Sequence, residues 1–481
     1  MRVLHVASEF YPLVKTGGLA DVVGALPGAL LGIGVDARLL LPGYPRILDG
    51  LSGIRVVGEL PNPWGGAPAR LLVGRTAEGV ACYAVDSPRL YDRPGNPYLD
   101  PQGRDWADNH RRFALLGWAA AWLAGEGGGW RWRPDIVHAH DWQAGLAPAY
   151  IGLRQWPRPA TVSTIHNIAY QGVFPPTVLN ELAIPPEAYS IDGLEYHGQI
   201  GFLKAALWYA DRITTVSPTY ALEIQTPEGG MGMEGLLQGR AGDLSGILNG
   251  VDYGVWSPAT DARLPARYTA EDMAGKAACK AALQAEFALD ADPAAPLFGV
   301  ISRLTQQKGF DLLLHAAPRL LAQGAQLAVL GSGEAALEEG FQALAQRHPG
   351  QVGTFIGYDE ALSHRVQGGA DVIVMPSRSE PCGLVQMYAL KYGSLPLVRR
   401  TGGLADTVVH AAPGMLGAAT GFVFDDADVQ GLSWGFAAAL ELYRDPEAWR
   451  RVQRNAMAQD FSWTASARHY RDLYRDLFPD V

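Results

Sequence analysis

The 481-residue chain has only three cysteines, Cys82, Cys279 and Cys382. They are scattered, odd in number and without CxxC spacing, which excludes a disulfide framework and a cysteine-built zinc site and fits a reducing compartment. No run approaches the roughly 18 apolar residues of a membrane span. The opening "MRVLHVASEF" has neither a basic segment leading into a long apolar one nor an Arg/Ser-rich transit composition. The expected location is therefore cytoplasmic, with no membrane partner. Positive charge is also short: 39 Lys+Arg against 49 Asp+Glu give a net charge of −10. That balance speaks against a nucleic-acid partner, which would call for a basic face. A G-x-G-x-x-G turn is missing after the first apolar run, and no G-x-S-x-G elbow stands out. A nicotinamide enzyme and an elbow-type serine hydrolase are thereby disfavoured.

What is present is alternation. Short apolar runs at 2–7, 35–42, 134–140, 160–167 and 212–217 are separated by helical spacing, and a second series begins at 297–304. It continues through 325–331, 352–357, 370–377, 395–400 and 421–425, with helices expected at 309–323 and 333–347. This pattern predicts an α/β protein of two doubly wound, Rossmann-like parallel-sheet domains whose binding crevices face a shared cleft. The length suits two cores. We place a first domain at 1–248 and a second at 249–457, with the C-terminal helical segment 458–481 expected to pack back on the first. An Ala/Asp/Pro-rich stretch, 257–296, separates the two strand series and looks helical around 271–287.

One nine-residue phrase occurs twice, as "KTGGLADVV" from Lys15 and as "RTGGLADTV" from Arg400. Each copy follows an apolar run and opens a helical pattern, so each reads as strand, glycine loop, helix. Glycines let the backbone approach a ligand closely, and a helix start offers N–H groups to an anion. The scarce lysines sharpen the point, since only six of the 39 basic residues are lysine. Lys15 and Lys308 lie where a strand gives way to a loop, and Lys391 lies just before a strand. A compact ammonium there can meet phosphate as a point charge.

Arg303 ends a predicted strand and Lys308 starts the next helix, so both can converge on a diphosphate; the competing reading pairs Arg303 with Asp311. Glu380, between a buried strand and a helix, can bond sugar hydroxyls or cap that helix. His138 and His140 share a strand face, which raises a metal site, but no further cluster is expected to complete it and no metal is assigned. His140, Asp141, His166 and Asn167 all stand at strand ends.

Taken together, "SEFYPLVKTGGLADVVGALP", "HAHDWQAGLAPAY", "HNIAYQGVF", "ILNGVD", "SRLTQQKG", "PSRSEPCGLVQMYALKYG" and "RRTGGLADTV" resemble the bacterial glycogen synthase and plant starch synthase family across essentially the whole chain. The resemblance implies a retaining GT-B glucosyltransferase with ADP-glucose as donor, an α-1,4-glucan (glycogen) as acceptor and no cofactor. It implies catalytic roles for Glu380, Arg303, Lys308, Asp141 and His166. It further implies substrate contacts by Lys15, Gly17, Gly18, Asp21, Tyr98, Asn167, Asn249 and Tyr358, by Cys382, Gly383 and Leu384, and by Thr401, Gly402, Gly403 and Leu404. Gln143 stands where histidine is frequent in the family, and the segment 100–109 also departs from its pattern. Two other classes share the outline: a GT-B-type sugar epimerase and a non-catalytic two-lobed sugar-binding protein.

Overall fold

The computed structural model describes residues 1–65, 67–125, 132–154 and 157–478. The chain divides into two compact units. The first comprises Met1–Val216, Ala221–Gly250 and Trp463–Val481, and the second Ser217–Tyr220 and Val251–Ser462. The last three positions of the expected C-terminal helical segment, 479–481, lie outside the described residues.

The strands of the first unit are, in chain order, β1 (Arg2–Val6), β2 (Asp36–Pro42), β3 (Ser52–Leu60), β4 (Ala69–Arg75), β5 (Ala81–Asp86) and β6 (Ile136–His140). They continue as β7 (Ala160–Ile165), β8 (Val173–Phe174), β9 (Glu195–Tyr196), β10 (Gln199–Gly201), β11 (Arg212–Thr215) and β12 (Leu244–Gly246). Nine of them form one sheet in the order β12-β11-β7-β6-β1-β2-β5-β4-β3. From β12 to β5 the pairing is parallel, and β4 and β3 extend it antiparallel. β8, β10 and β9 make a small antiparallel sheet apart from it.

Central strands such as β1 (RVLHV) and β6 (IVHAH) are covered on both faces, which is why they read as apolar runs rather than alternations. Leu4, Val6, Val137 and Ala139 enter a core with Phe113 and Leu116 from the helix Asn109–Ala124. Val3 and Ile136 point the other way, toward Val22, Leu26 and Leu30 of the helix Gly18–Gly32 and toward Tyr470 and Tyr474 of the helix Trp463–Asp476. The C-terminal helix is thus part of the first unit's core. β3, β4, β5, β12 and the small sheet were not foreseen. β3 is exposed along most of its length, and β12 is three residues long. Neither leaves a periodic apolar signal to detect.

In the second unit β13 (Leu297–Leu304), β14 (Gln326–Gly333), β15 (Val352–Ile356), β16 (Val372–Met375), β17 (Leu395–Arg399) and β18 (Phe422–Phe424) form a wholly parallel sheet. Its order is β15-β14-β13-β16-β17-β18. Helices Phe310–Leu321 and Ala335–Arg347 fall within the stretches where periodicity predicts them, and the separating stretch carries the helix Ala274–Glu286. The strand order reverses between β13 and β16 here, and between β1 and β6 in the first unit. Such reversals open a crevice at the carboxyl ends of the flanking strands.

Inside the first unit the Tyr474 hydroxyl lies 2.7 Å from Nδ1 of buried His138 on β6. Tyr474→Phe deletes that partner and strands a ring nitrogen in the core. Urea denaturation should show a loss of about 1–3 kcal/mol. An unchanged midpoint would mean the hydroxyl contributes nothing to docking the helix.

Candidate active site

The loop after β1 folds around a carboxylate that the sequence reading passed over. Glu9 is 3 % exposed. It accepts from Thr16 N at 2.6 Å, Thr16 Oγ1 at 2.6 Å and Gly17 N at 3.3 Å. The Tyr98 hydroxyl also donates to it and lies 2.9 Å from Ser8 Oγ. The N–H groups expected to await an anion at this first glycine loop therefore already hold one, from the protein itself. Around that core Lys15 Nζ pairs with Asp21 Oδ1 at 2.7 Å and sits over the Tyr11 ring. Lys15, Gly17, Gly18, Asp21 and Tyr98 are thus gathered at one place. A Cβ at Gly17 or Gly18 would meet nothing within 4 Å. The space beside them is open.

The second copy uses its glycines differently. A Cβ on Gly402 would lie 2.0 Å from the Glu380 carbonyl oxygen, and one on Gly403 would lie 2.1 Å from that of Cys382. Gly402 also has φ of 42°, and the N–H of Gly403 bonds the carbonyls of Glu380 and Pro381 at 3.2 Å each. The N–H of Leu404 goes to Thr401 O at 3.1 Å. Two of the amides expected to receive phosphate are directed at protein carbonyls. The loop Thr401–Leu404 clamps the segment that carries Glu380, Cys382, Gly383 and Leu384.

That segment follows β16, and Arg303 and Lys308 belong to the end of neighbouring β13 and the loop beyond it. Lys308 Nζ meets Glu380 Oε2 at 2.5 Å, and Ser377 Oγ donates to the same oxygen at 3.1 Å. Glu380 is 6 % exposed. It caps no helix: Leu384 is the N-cap of Val385–Lys391 and has no side-chain cap bond. Asp311, offered as a partner for Arg303, is instead held by Arg378 at 2.7 and 2.8 Å. The Arg303 side chain is exposed and forms no ion pair among the described residues. Cys382 is buried and forms no disulfide among the described residues. Tyr358 is 81 % exposed, just beyond the carboxyl end of the edge strand β15. The Lys391 ammonium sits over the Tyr253 ring, 4.5 Å from the centroid.

In the first unit, Asp141 directly follows β6 and lies in the left-handed region, at φ of 55°. This uncommon turn for a side-chain-bearing residue aims the carboxyl back at the β7 loop, where it accepts the His166 N–H at 2.7 Å. Burial pushes its pKa up to about 7, against the backbone N–H groups of His166 and Asn167, which favour the charged form. Asn249 follows β12 and is buried, and its Oδ1 has no partner among the described residues.

The histidine reading needs correction. A third ring, His5 of β1, completes the pair on β6, with ligating nitrogens of His5, His138 and His140 all within 4.8 Å of one another. Parallel pairing sets His5 beside His138 in register, which single-strand spacing does not reveal. Whether the trio suits a metal is decided by what its nitrogens already do. His138 engages Tyr474 and Thr164, and His140 engages His5 and His166, so of the trio's nitrogens only His5 Nε2 has no partner among the described residues. Burial lowers the pKa of all three, and of His166, keeping the rings neutral. These histidines form a hydrogen-bonded core.

Two family models cover the chain: residues 2–239 match the starch synthase catalytic domain, and residues 284–456 match glycosyl transferases group 1. A protein named glycogen synthase from Paramagnetospirillum magneticum is 54% identical, with 99% of this chain and 98% of that protein covered. Another of that name from Edwardsiella ictaluri is 56% identical over 99% and 100% of the two chains. The chain belongs to the glycogen synthase family. It is a glycosyltransferase, and its two Rossmann-like units are those of the GT-B class. A solved relative, the catalytic domain of starch synthase IV from Arabidopsis thaliana bound to ADP and acarbose, superposes with a TM-score of 0.86 at 33% identity over 99% of both chains. A sucrose-phosphate synthase from Thermosynechococcus elongatus shares the fold at 18% identity and a TM-score of 0.58. Membership in the glycogen synthase family sets aside the epimerase and the non-catalytic binding protein. Among the described residues no helix is long and apolar enough to cross a membrane.

The contrast between the two glycine loops gives a test within this glycogen synthase relative. Gly17→Ala should leave unfolding free energy within about 1 kcal/mol, the scale of a Gly-to-Ala change at a helix cap. Gly402→Ala meets a carbonyl at positive φ and should lose more than about 2 kcal/mol. Denaturant curves for both variants check this, and equal losses would refute the distinction.

Proposed function

We propose that the chain transfers glucose from ADP-glucose to the non-reducing end of an α-1,4-glucan, retaining the α configuration. The observation that carries this reading is the Lys308–Glu380 pair at 2.5 Å, placed at the strand-order reversal of the second unit. It sets a cation suited to a leaving phosphate beside an acid suited to a sugar.

The chemistry then follows from where charge develops. As the bond between the glucosyl C1 and the phosphate oxygen breaks, its electron pair stays on the ADP oxygen and the sugar ring becomes cationic. Arg303 and Lys308 stabilise the first charge by preorganised electrostatics. Glu380, with Oε2 already taken by Lys308 and Ser377, retains Oε1 for sugar hydroxyls. The clamp at Thr401–Leu404 keeps that carboxylate in place. Asp141, His166, Asn167 and Asn249 serve the sugar and acceptor, and Lys15, Asp21 and Tyr98 complete the substrate-binding set.

Retention through a covalent intermediate would need an ionised carboxylate beneath C1. Burial raises the Asp141 pKa to about 7 and so disfavours its ionised form, and Glu380 is committed to a cation. Front-face attack is the better reading: the acceptor hydroxyl bonds C1 on the side the ADP leaves, and its proton passes to the departing phosphate oxygen.

Two measurements test this. With glycogen as acceptor, ADP-[14C]glucose should label glucan in excess EDTA, and UDP-glucose should be a much poorer donor. Activity that EDTA abolishes and magnesium restores, or equal use of both donors, contradicts the reading. Glu380→Gln keeps the shape and removes the charge, so kcat should fall on the order of 10²-fold or more while ADP affinity changes less than about tenfold. Normal turnover with weakened ADP binding would move Glu380 from the sugar to the diphosphate.

A further inference from the structure

Three imidazoles run in single file through the first unit. His5 Nδ1 lies 3.0 Å from His140 Nε2, and His140 Nδ1 lies 3.0 Å from His166 Nε2. The chain has a sealed end and an open one. His5 and His140 are 0 % exposed, whereas His166 is 9 % exposed. At the sealed end, His5 Nε2 is buried and has no hydrogen-bond partner among the described residues.

A neutral imidazole carries one N–H and one bare nitrogen. Two N···N bonds across three such rings can be satisfied in only two ways, because each ring that receives a proton at one nitrogen must give from the other. In the first order His5 donates to His140, His140 donates to His166, and His166 is left with its N–H on Nδ1. In the reverse order His166 donates inward, and the final N–H sits on His5 Nε2, which meets no acceptor among the described residues. A sealed N–H without an acceptor is the rarer and costlier fault. All three rings are neutral, since burial lowers each pKa, to about 3 for His5 and His166.

We propose that His5 and His140 are positioning residues which fix the tautomer of His166, so that this ring presents an N–H rather than a lone pair from Nδ1. The ring then selects a ligand atom that accepts, such as the oxygen of a sugar hydroxyl. This deepens the glucosyl-transfer reading, on which the identity of the ligand rests. The order of protons along the chain stands apart from it.

The test begins with the wild-type protein labelled with ¹⁵N-histidine. Nitrogen chemical shifts and couplings across the N–H···N bonds report which atom of each ring holds the proton. Nδ1–H on His166 and on His140 is expected; Nε2–H on either overturns the proposal. Two near-isosteric variants then separate positioning from packing. His140→Asn can place an amide N–H where His140 has Nδ1, whereas His140→Leu fills the space without a donor. Asn should keep kcat within about threefold, and Leu should lose roughly tenfold, with ADP affinity unchanged in both. A purely packing role predicts the opposite ranking, because the buried site favours Leu, and equal kcat values for the two also overturn the proposal. If Leu does not fold, the wild-type spectrum still decides. A protein with the expected tautomers but no glucosyl transfer would sink the functional reading and leave the relay standing.

Discussion

A parallel sheet imposes one constraint from which the candidate site descends: every strand delivers its carboxyl end to the same edge. Where the strand order reverses, the two loops leaving that edge part in opposite directions and leave room between them. In the first unit the parting loops follow β1 and β6, and they carry Glu9, Lys15 and Asp141. In the second they follow β13 and β16, and they carry Lys308 and Glu380. None of these residues is near another in sequence within its unit except Glu9 and Lys15. Topology brings them together.

That dependence explains what could be read from the sequence. Strand ends flanked by loops are visible as apolar runs that stop, so Lys308, Glu380, Asp141 and His166 could be singled out by where they stand. Their pairing could not. That Lys308 meets Glu380 across 72 positions depends on β13 and β16 being neighbours, and no local pattern encodes that adjacency. His5 was missed for the same reason, since its partners lie on a strand more than 130 residues away. Glu9 was missed for a different one. It sits beside a lysine-bearing loop, where an acid reads as solvated, and only the folded loop shows it buried under Thr16 and Gly17. An acid between a buried strand and a glycine loop was the available signal.

The repeated phrase shows how far identical residues can diverge in purpose. At 15–23 the glycines border open space and the threonine secures the loop to an internal carboxylate. At 400–408 the glycines allow one loop to lie against the carbonyls of another. Asp21 pairs with the lysine of its own copy, whereas Asp406 takes the backbone N–H and hydroxyl of Thr219 at 2.8 and 2.7 Å. Composition alone made the copies look like two instances of one device.

Burial raises the pKa of Asp141 to about 7, into the range where a nearby ligand can change its protonation. With a carboxyl poised at about pH 7 beneath two backbone N–H groups, any ligand that adds a hydrogen bond or removes water there shifts its occupancy. Binding then carries a proton into or out of the buffer, as linkage requires. The heat of binding any ligand that contacts Asp141 would then depend on the ionisation enthalpy of the buffer, differing between phosphate and Tris at one pH and one affinity. An enthalpy for such a ligand would be compared between buffers only after that proton contribution is subtracted.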